Sequence, residues 1–240
     1  MSQPLSKQEM QAQNQAIFTS VAARYDFMNK ITSLGMEPFW KRKAVNCLAN
    51  VCDDMLVLDL CGGTGDLTSL ALRCYRRGYY IIDDLNLNML AAGRRKIAPN
   101  HKNRVLYVQG DAMALPYVDQ AFDKVMICFG LRNVPDMQDC LNEIARVLKP
   151  AGQLICLEFA LPRQVLLRWG YDFYMRTFVR AMTTLITRQP ATYAYLYSSI
   201  MHFAEPEEVM RAIARAGLTS LRLRRLFCGV GYIYSAFKTC

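Results

Sequence analysis

Apolar positions follow two rhythms along this chain. Short apolar runs at 56–60, 79–82, 105–108, 124–129 and 154–159 read as buried strands. Between them the apolar spacing turns helical: Leu67, Leu70, Ala71 and Cys74 after the first run, Met89 and Leu90 after the second, and Met137, Cys140, Leu141, Ile144 and Leu148 after the fourth. The last stripe stops at Lys149, Pro150 and Gly152, residues that end a helix. Strands alternating with helices predict a parallel sheet covered on both faces. The segment 1–50 reads as helical, and the stretch 161–204 breaks the alternation. It is rich in aromatics (Tyr171, Phe173, Tyr174, Phe178, Tyr193, Tyr195, Tyr197) and reads as an inserted helical region. A helix from Pro206 to Ala216 has proline in its first turn and Gly217 past its end. The closing runs, about 220–227 and 231–237, are joined too closely for a crossover helix, so they predict an antiparallel pair. No repeat, low-complexity tract or linker interrupts the chain, and residues 1–240 read as one domain.

Composition narrows the class. A length of 240 residues with 52% hydrophobic and 20% charged residues supports a sizeable core and excludes disorder. The nine cysteines are odd in number and lack a C-x-x-C pair; Cys74, Cys128, Cys140 and Cys156 sit in apolar stretches. That is thiol usage in a reducing compartment, not a disulfide framework or zinc site. Neither His101 nor His202 has ligand spacing around it, so no metal is expected. Met1 to Lys7 carries no signal-peptide pattern, and no run of about 18 apolar residues is present, so a cytoplasmic placement is expected. The net charge of +9 suits an anionic partner: nucleic acid, a membrane face or an acidic substrate. It also suits nothing more than a solvated basic surface.

Candidate chemistry begins at Asp59, where the first strand runs into Gly62, Gly63, Thr64 and Gly65. Ligands in open α/β sheets bind at the carboxyl ends of strands, and glycines there let the backbone approach a nucleotide-type ligand. The spacing does not complete G-x-G-x-x-G, since Thr68 holds the last position, and a Walker lysine is absent. An acid ends strand two and another follows strand three. Asp84, beside Leu85, is placed to accept from ribose hydroxyls, and Asp111, beside Ala112, from an adenine amino group. Ribose and adenine without phosphate describe S-adenosylmethionine. Asp83 reads as a solvated strand end.

At these residues the chain resembles the ubiquinone/menaquinone biosynthesis C-methyltransferases, over about Phe18 to Lys238. The likeness rests on Phe18 to Asn29, Val57 to Thr68, Gly110 to Pro116, Phe129 to Pro135, and Arg146 to Pro150. Tyr25 to Asn29 and Phe129 to Asn133 are its most specific stretches. The resemblance implies a Rossmann-like class I S-adenosylmethionine-dependent methyltransferase, with a mostly parallel seven-stranded sheet and an antiparallel C-terminal strand. It implies C-methylation of a polyprenylated quinol, either demethylmenaquinol or a methoxybenzoquinol. Thr64, Asp84, Asp111, Ala112 and Cys128 would line the cofactor pocket, and Arg132 and Asn133 would face the substrate. Cys61, Glu37 with Pro38, Ala151 and Tyr234 depart from the family pattern; of these, Glu37, Pro38 and Tyr234 fall where a substrate pocket is expected.

Carbon methylation needs an electron-rich ring carbon in line with the sulfonium methyl and shielded from water. A deprotonated quinol supplies that carbon and an oxidised quinone does not. Arg132 is a candidate to stabilise the phenolate and Asn133 to orient the hydroxyl. Tyr25, Asp26 and an Arg132-bound water are candidate bases. Ile17, Phe18, Val21 and the aromatic insert are candidate walls for the prenyl tail. Lys41 to Lys43, or Arg222, Arg224 and Arg225, are candidates for transient contact with an anionic membrane surface. A homodimer is one candidate arrangement, and no nucleic-acid partner is expected. The competing readings are a nucleic-acid methyltransferase, favoured by charge but lacking an Asn/Asp-Pro-Pro-Tyr exit, a non-catalytic S-adenosylmethionine-binding scaffold, and another small-molecule methyltransferase.

Overall fold

The computed structural model describes residues 7–21, 25–49, 51–75, 77–187 and 190–239. Seven strands form one sheet: β1 (Leu56–Leu60), β2 (Tyr79–Asp83), β3 (Val105–Val108), β4 (Phe122–Cys128), β5 (Leu148–Phe159), β6 (Leu218–Leu226) and β7 (Gly231–Lys238). Their spatial order is β3-β2-β1-β4-β5-β7-β6. Neighbours from β3 to β5 pair parallel, and β7 runs antiparallel to both β5 and β6. The strand order reverses at β1, which therefore faces β2 on one side and β4 on the other. The carboxyl ends of β1, β2 and β4 open there into a crevice.

Alternation along the strands builds two cores. Val57 faces one side of β1, and Leu58 and Leu60 the other. The first side is covered by α3 (Glu37–Val45) and α4 (Asp66–Tyr75) through Trp40, Ala44, Leu67 and Leu72. The second is covered by α6 (Met137–Val147) and α10 (Pro206–Arg215) through Leu141, Ile144, Val209 and Ile213. The polar face of each helix is left to water. Before β1 lie α1 (Lys7–Val21) and α2 (Tyr25–Thr32), and α5 (Leu87–Gly93) follows β2. The insert holds α7 (Val165–Tyr174), a π-helical turn over Met175–Val179, α8 (Arg180–Thr187) and α9 (Pro190–Met201). Tyr171 and Met175 are buried in the first core, and Tyr174, Tyr193 and Tyr197 pack against it.

Two stretches hold structure that the apolar pattern does not mark. No helix joins β3 to β4. The irregular stretch 109–121 is instead pinned to α6 by polar bonds: Arg146 donates to the carbonyls of Leu115 and Tyr117, and Glu143 accepts from the Leu115 amide. Strand β5 also begins earlier than its apolar run. Leu148 pairs with Phe122, residues 149–152 bulge outward, and pairing resumes at Gln153 opposite Lys124. Ala151 takes a left-handed φ of 59° in that bulge, and Lys149 reaches the Asp123 carboxylate.

Several surface and pocket expectations change as well. Tyr234 is buried within β7 and lines neither cavity described below, because its side of the strand packs on the second core. Lys41 is buried and is not a surface charge; it folds back on Glu37 and Asp66. Arg222, Arg224 and Arg225 are exposed along edge strand β6, where charge discourages pairing with another sheet. Asp83 is fully buried and not solvated. Its carboxylate accepts from Tyr117 and lies against Gly110, where a Cβ would come within 2.4 Å of it.

Candidate functional site

The turn after β1 is held by the end of β2. The Gly62 amide donates to the Asp83 carbonyl at 3.0 Å, and the Gly63 amide to the Asp84 carboxylate at 2.9 Å. The other Asp84 oxygen accepts from the Asn86 amide at 2.8 Å. A Cβ on Gly62 would stand 2.7 Å from the Asp59 carbonyl, so only glycine fits. Asp59 is turned under the loop: one oxygen accepts from both the amide and hydroxyl of Thr68, while Oδ1 is buried without a hydrogen-bond partner. Burial pushes Asp59, Asp83 and Asp84 each up to about 6, against the hydrogen bonds that favour their ionised forms.

Over this turn lies a cleft of about 720 Å³, counted out to its open mouth. Gly63, Asp84, Leu85, Asp111, Ala112 and Asn133 of the expected residues line it, together with Asp83, Asn86 and Met89. A smaller cavity of about 320 Å³ gathers Asp59, Gly62, Thr64 and Cys128 with Asn29, Lys41 and Asp66. Cys61 and Phe129 line both spaces. Each is a non-glycine residue with φ in the left-handed region, 52° and 57°, at the ends of adjacent strands. Strain of this kind gathers at sites that position a ligand. Gly65 lines neither cavity but holds the turn, its amide donating to the Gly62 carbonyl.

Helix α1 closes the cleft from above. Gln11, Asn14, Gln15 and Phe18 recur at i, i+3, i+4 and i+7 and all line the cleft. Gln11 donates to the Asp111 carboxylate at 2.8 Å, and Asn14 to the Asn133 carbonyl at 2.7 Å. Asn86 caps α5 and donates to the Gln15 carbonyl. Tyr195 of the insert donates to the Asn133 side chain at 2.7 Å, and its ring meets Phe18 edge-on. The stripe of glutamine and asparagine at helical spacing was the available sequence signal for this cover. Tyr25 and Asp26 open α2, but their side chains, like that of Val21, lie outside the described residues.

Lys41 is the second unexpected member. Its ammonium contacts Glu37 and, at 3.3 Å, Asp66. Burial alone would favour the neutral amine, but the facing Glu37 and Asp66 carboxylates outweigh it and hold the charge. Lys96 donates to the Thr64 hydroxyl and to Asp66, each at 2.8 Å, fixing the loop from outside.

Arg132 departs from the expectation that it faces a substrate. Its guanidinium donates to Glu158 at 2.8 Å and to the Phe129 carbonyl at 2.6 Å, beside the Phe159 ring. Both side chains are buried, 2% and 0% exposed, and Glu158 also accepts from the Arg132 amide. The physical reason is that Glu158, deep in β5, needs a counter-charge within reach. Asn133, next in the chain, is the residue this pair leaves at the cleft wall.

A model of the ubiE/COQ5 methyltransferase family matches residues 6–238. A ubiquinone/menaquinone biosynthesis C-methyltransferase of Shewanella frigidimarina is 40% identical over 224 residues, spanning 92% of this chain and 89% of its own. Among solved structures, the protein bound to the Haloferax volcanii Trm112 methyltransferase activator is similar with a TM-score of 0.68 at 17% identity, covering 93% of this chain and 98% of its own. A Haemonchus contortus phosphoethanolamine N-methyltransferase in complex with S-adenosylmethionine gives 0.64 at 14% identity, over 83% and 52%. Identities this low carry the fold alone.

The sealed pair makes a quantitative expectation. Glu158→Gln strands Arg132 without its counter-charge and should cost about 3–5 kcal/mol in denaturant unfolding. A cost under about 1 kcal/mol, the worth of a solvent-exposed pair, would contradict this placement.

Proposed function

The chain belongs to the ubiE/COQ5 methyltransferase family, S-adenosylmethionine-dependent C-methyltransferases of ubiquinone and menaquinone biosynthesis, and we propose from that premise how its two cavities divide the work. The large cleft takes the nucleoside of the cofactor. Asp84 and Asp111 each keep lone pairs beyond the bonds they already accept, enough for ribose hydroxyls and an adenine amino group. Leu85, Met89 and Ala112 supply the apolar faces that a purine stacks on. The small cavity takes the amino-acid end. Lys41 has three N–H donors and spends two on Glu37 and Asp66; the third suits a carboxylate. Asp59, with its orphaned Oδ1, suits an ammonium. Cys61 and Phe129 then flank the junction of the two spaces, with Thr64 and Cys128 on the amino-acid side. That orphaned oxygen is the observation that carries the fit.

Bound there, the cofactor supplies a methyl group made electrophilic by its sulfonium. The residues of this chain position the acceptor. Asn133 spends one amide hydrogen on the Phe129 carbonyl and holds a second for a ring oxygen. Tyr195 fixes the orientation of that amide, and Phe18 and Tyr195 together exclude water from the mouth. Arg132 acts as a positioning residue for the loop 129–135. The acceptor we propose is a prenylated quinol in its reduced form, whose ring hydroxyls make the neighbouring ring carbon electron-rich. No helix among the described residues is long and apolar enough to cross a membrane.

Two measurements follow. With labelled S-adenosylmethionine, short-tailed demethylmenaquinol or the methoxybenzoquinol should take up label only when dithionite keeps it reduced. Label in neither quinol, or equal label without reductant, would overturn the acceptor. In equilibrium titrations, Lys41→Met should weaken S-adenosylhomocysteine about tenfold or more, the worth of a charged hydrogen bond, and leave 5′-methylthioadenosine unchanged. Equal loss for both ligands, or for neither, would remove Lys41 from the amino-acid subsite.

A further inference from the structure

We propose that the outward face of α7 is a docking surface for an anionic lipid bilayer. The helix has two unlike sides. Inward, Tyr171 and the adjoining Met175 are buried, and the hydroxyls of Tyr171 and Tyr174 donate to the carbonyls of Thr32 and Ile31 at the end of α2. Outward stand Val165, Leu166, Trp169 and Phe173, exposed by 84%, 78%, 68% and 59%. At 100° per residue these four fall within about a quarter to a third of the helix circumference. The rings of Trp169 and Phe173 stack on one another, 6.1 Å apart, so the face is a continuous apolar strip.

An ordinary surface helix of this chain looks different. Helix α10 buries Val209, Ala212 and Ile213 and shows Glu208, Arg211 and Arg215 to water. Helix α7 shows water its largest apolar side chains, and exposed apolar strips of that kind mark contact surfaces.

Charge selects the partner. Residues 163–180 hold Arg163, Arg168, Arg176 and Arg180 against the single acid Asp172. All four arginines are exposed. The pairs of Arg163 with Glu207 and of Arg176 with Asp172 are surface pairs that exchange readily for lipid phosphates. Tryptophan, phenylalanine and leucine on one face with flanking arginines is the pattern of a helix lying in a bilayer interface. The same insert sends Tyr195 of α9 to the cleft wall, so the lipid-facing element and the acceptor site belong to one segment of chain. The inference rests on the reading of the acceptor as a prenylated quinol only for its purpose; the surface itself is tested without any acceptor.

The chain has two tryptophans, and Trp40 is 1% exposed. Emission changes on vesicle binding therefore report Trp169. With the full chain and no methyl acceptor, vesicles of phosphatidylcholine containing phosphatidylglycerol should shift this emission to the blue. Brominated acyl chains in the same vesicles should quench it. Phosphatidylcholine alone should bind more weakly. The double variant Leu166→Ser, Phe173→Ser keeps the reporter and should bind these vesicles more than about tenfold more weakly. Its retained methyl transfer to a water-soluble short-tailed quinol would show that it folds; if that acceptor is not a substrate of the parent chain, unchanged methylthioadenosine binding serves instead. Unshifted emission with anionic vesicles would overturn the proposal, as would equal binding to neutral ones or by the double variant. Sedimentation at twice the chain mass with Trp169 already shielded, and no vesicle binding, would assign the face to a second copy instead.

Discussion

The contact between Asp84 and the Gly63 amide is the constraint on which the site depends. It ties the loop after β1 to the end of β2, and the Gly62 amide adds a second tie to the Asp83 carbonyl. Parallel register brings these strand ends level, Leu60 beside Asp83, so a side chain one residue past β2 can reach the turn. The same carboxylate lines the cleft and so serves both the loop and the ligand. Its ionisation is opposed by burial and sustained by the two amides that donate to it. Loss of that charge would loosen the floor of the cleft and remove its ribose acceptor together.

Around that floor the polar parts interlock. Asn86 accepts from the first amides of α5 and donates to α1, while Asn133 accepts from α1 and from α9. Three additions to the sheet, namely α1, α3 with Lys41, and the insert, therefore complete what the strand ends begin. Arg132 and Glu158 fix the exit of β4 from within, at the usual cost of a buried pair: both must be present.

Much of this was legible in the pattern of the chain. The strands β1 to β5 and β7 were, because each carries buried apolar residues, and the edge strand β6 followed as the antiparallel partner of β7, because four residues cannot carry a crossover. Asp84 and Asp111 were legible because an open α/β sheet has only one end at which acids after strands meet. The link between β3 and β4 was not, since it is held by Arg146 and Glu143 from a distant helix and has no periodicity of its own. The burial of Lys41 was hidden for a similar reason: Glu37 one turn earlier was a visible hint, but Asp66 across the fold completes the pair. Arg132 looked free because its partner, Glu158, lies 26 residues away on the next strand. In each case a polar partner distant in sequence completes the arrangement.

The most direct test of the central contact is the pH dependence of nucleoside binding. Asp84 is pushed up to about 6, and ribose hydroxyls need its ionised form as acceptor. The affinity of 5′-methylthioadenosine, which lacks the amino-acid end, should be level above about pH 7 and fall as pH drops through 6. By pH 5 the loss should be about tenfold, one pKa unit below the midpoint. Asp84→Asn should bind weakly at every pH, without that fall. A wild-type affinity that stays level to pH 5, or the same decline in Asp84→Asn, would contradict the account.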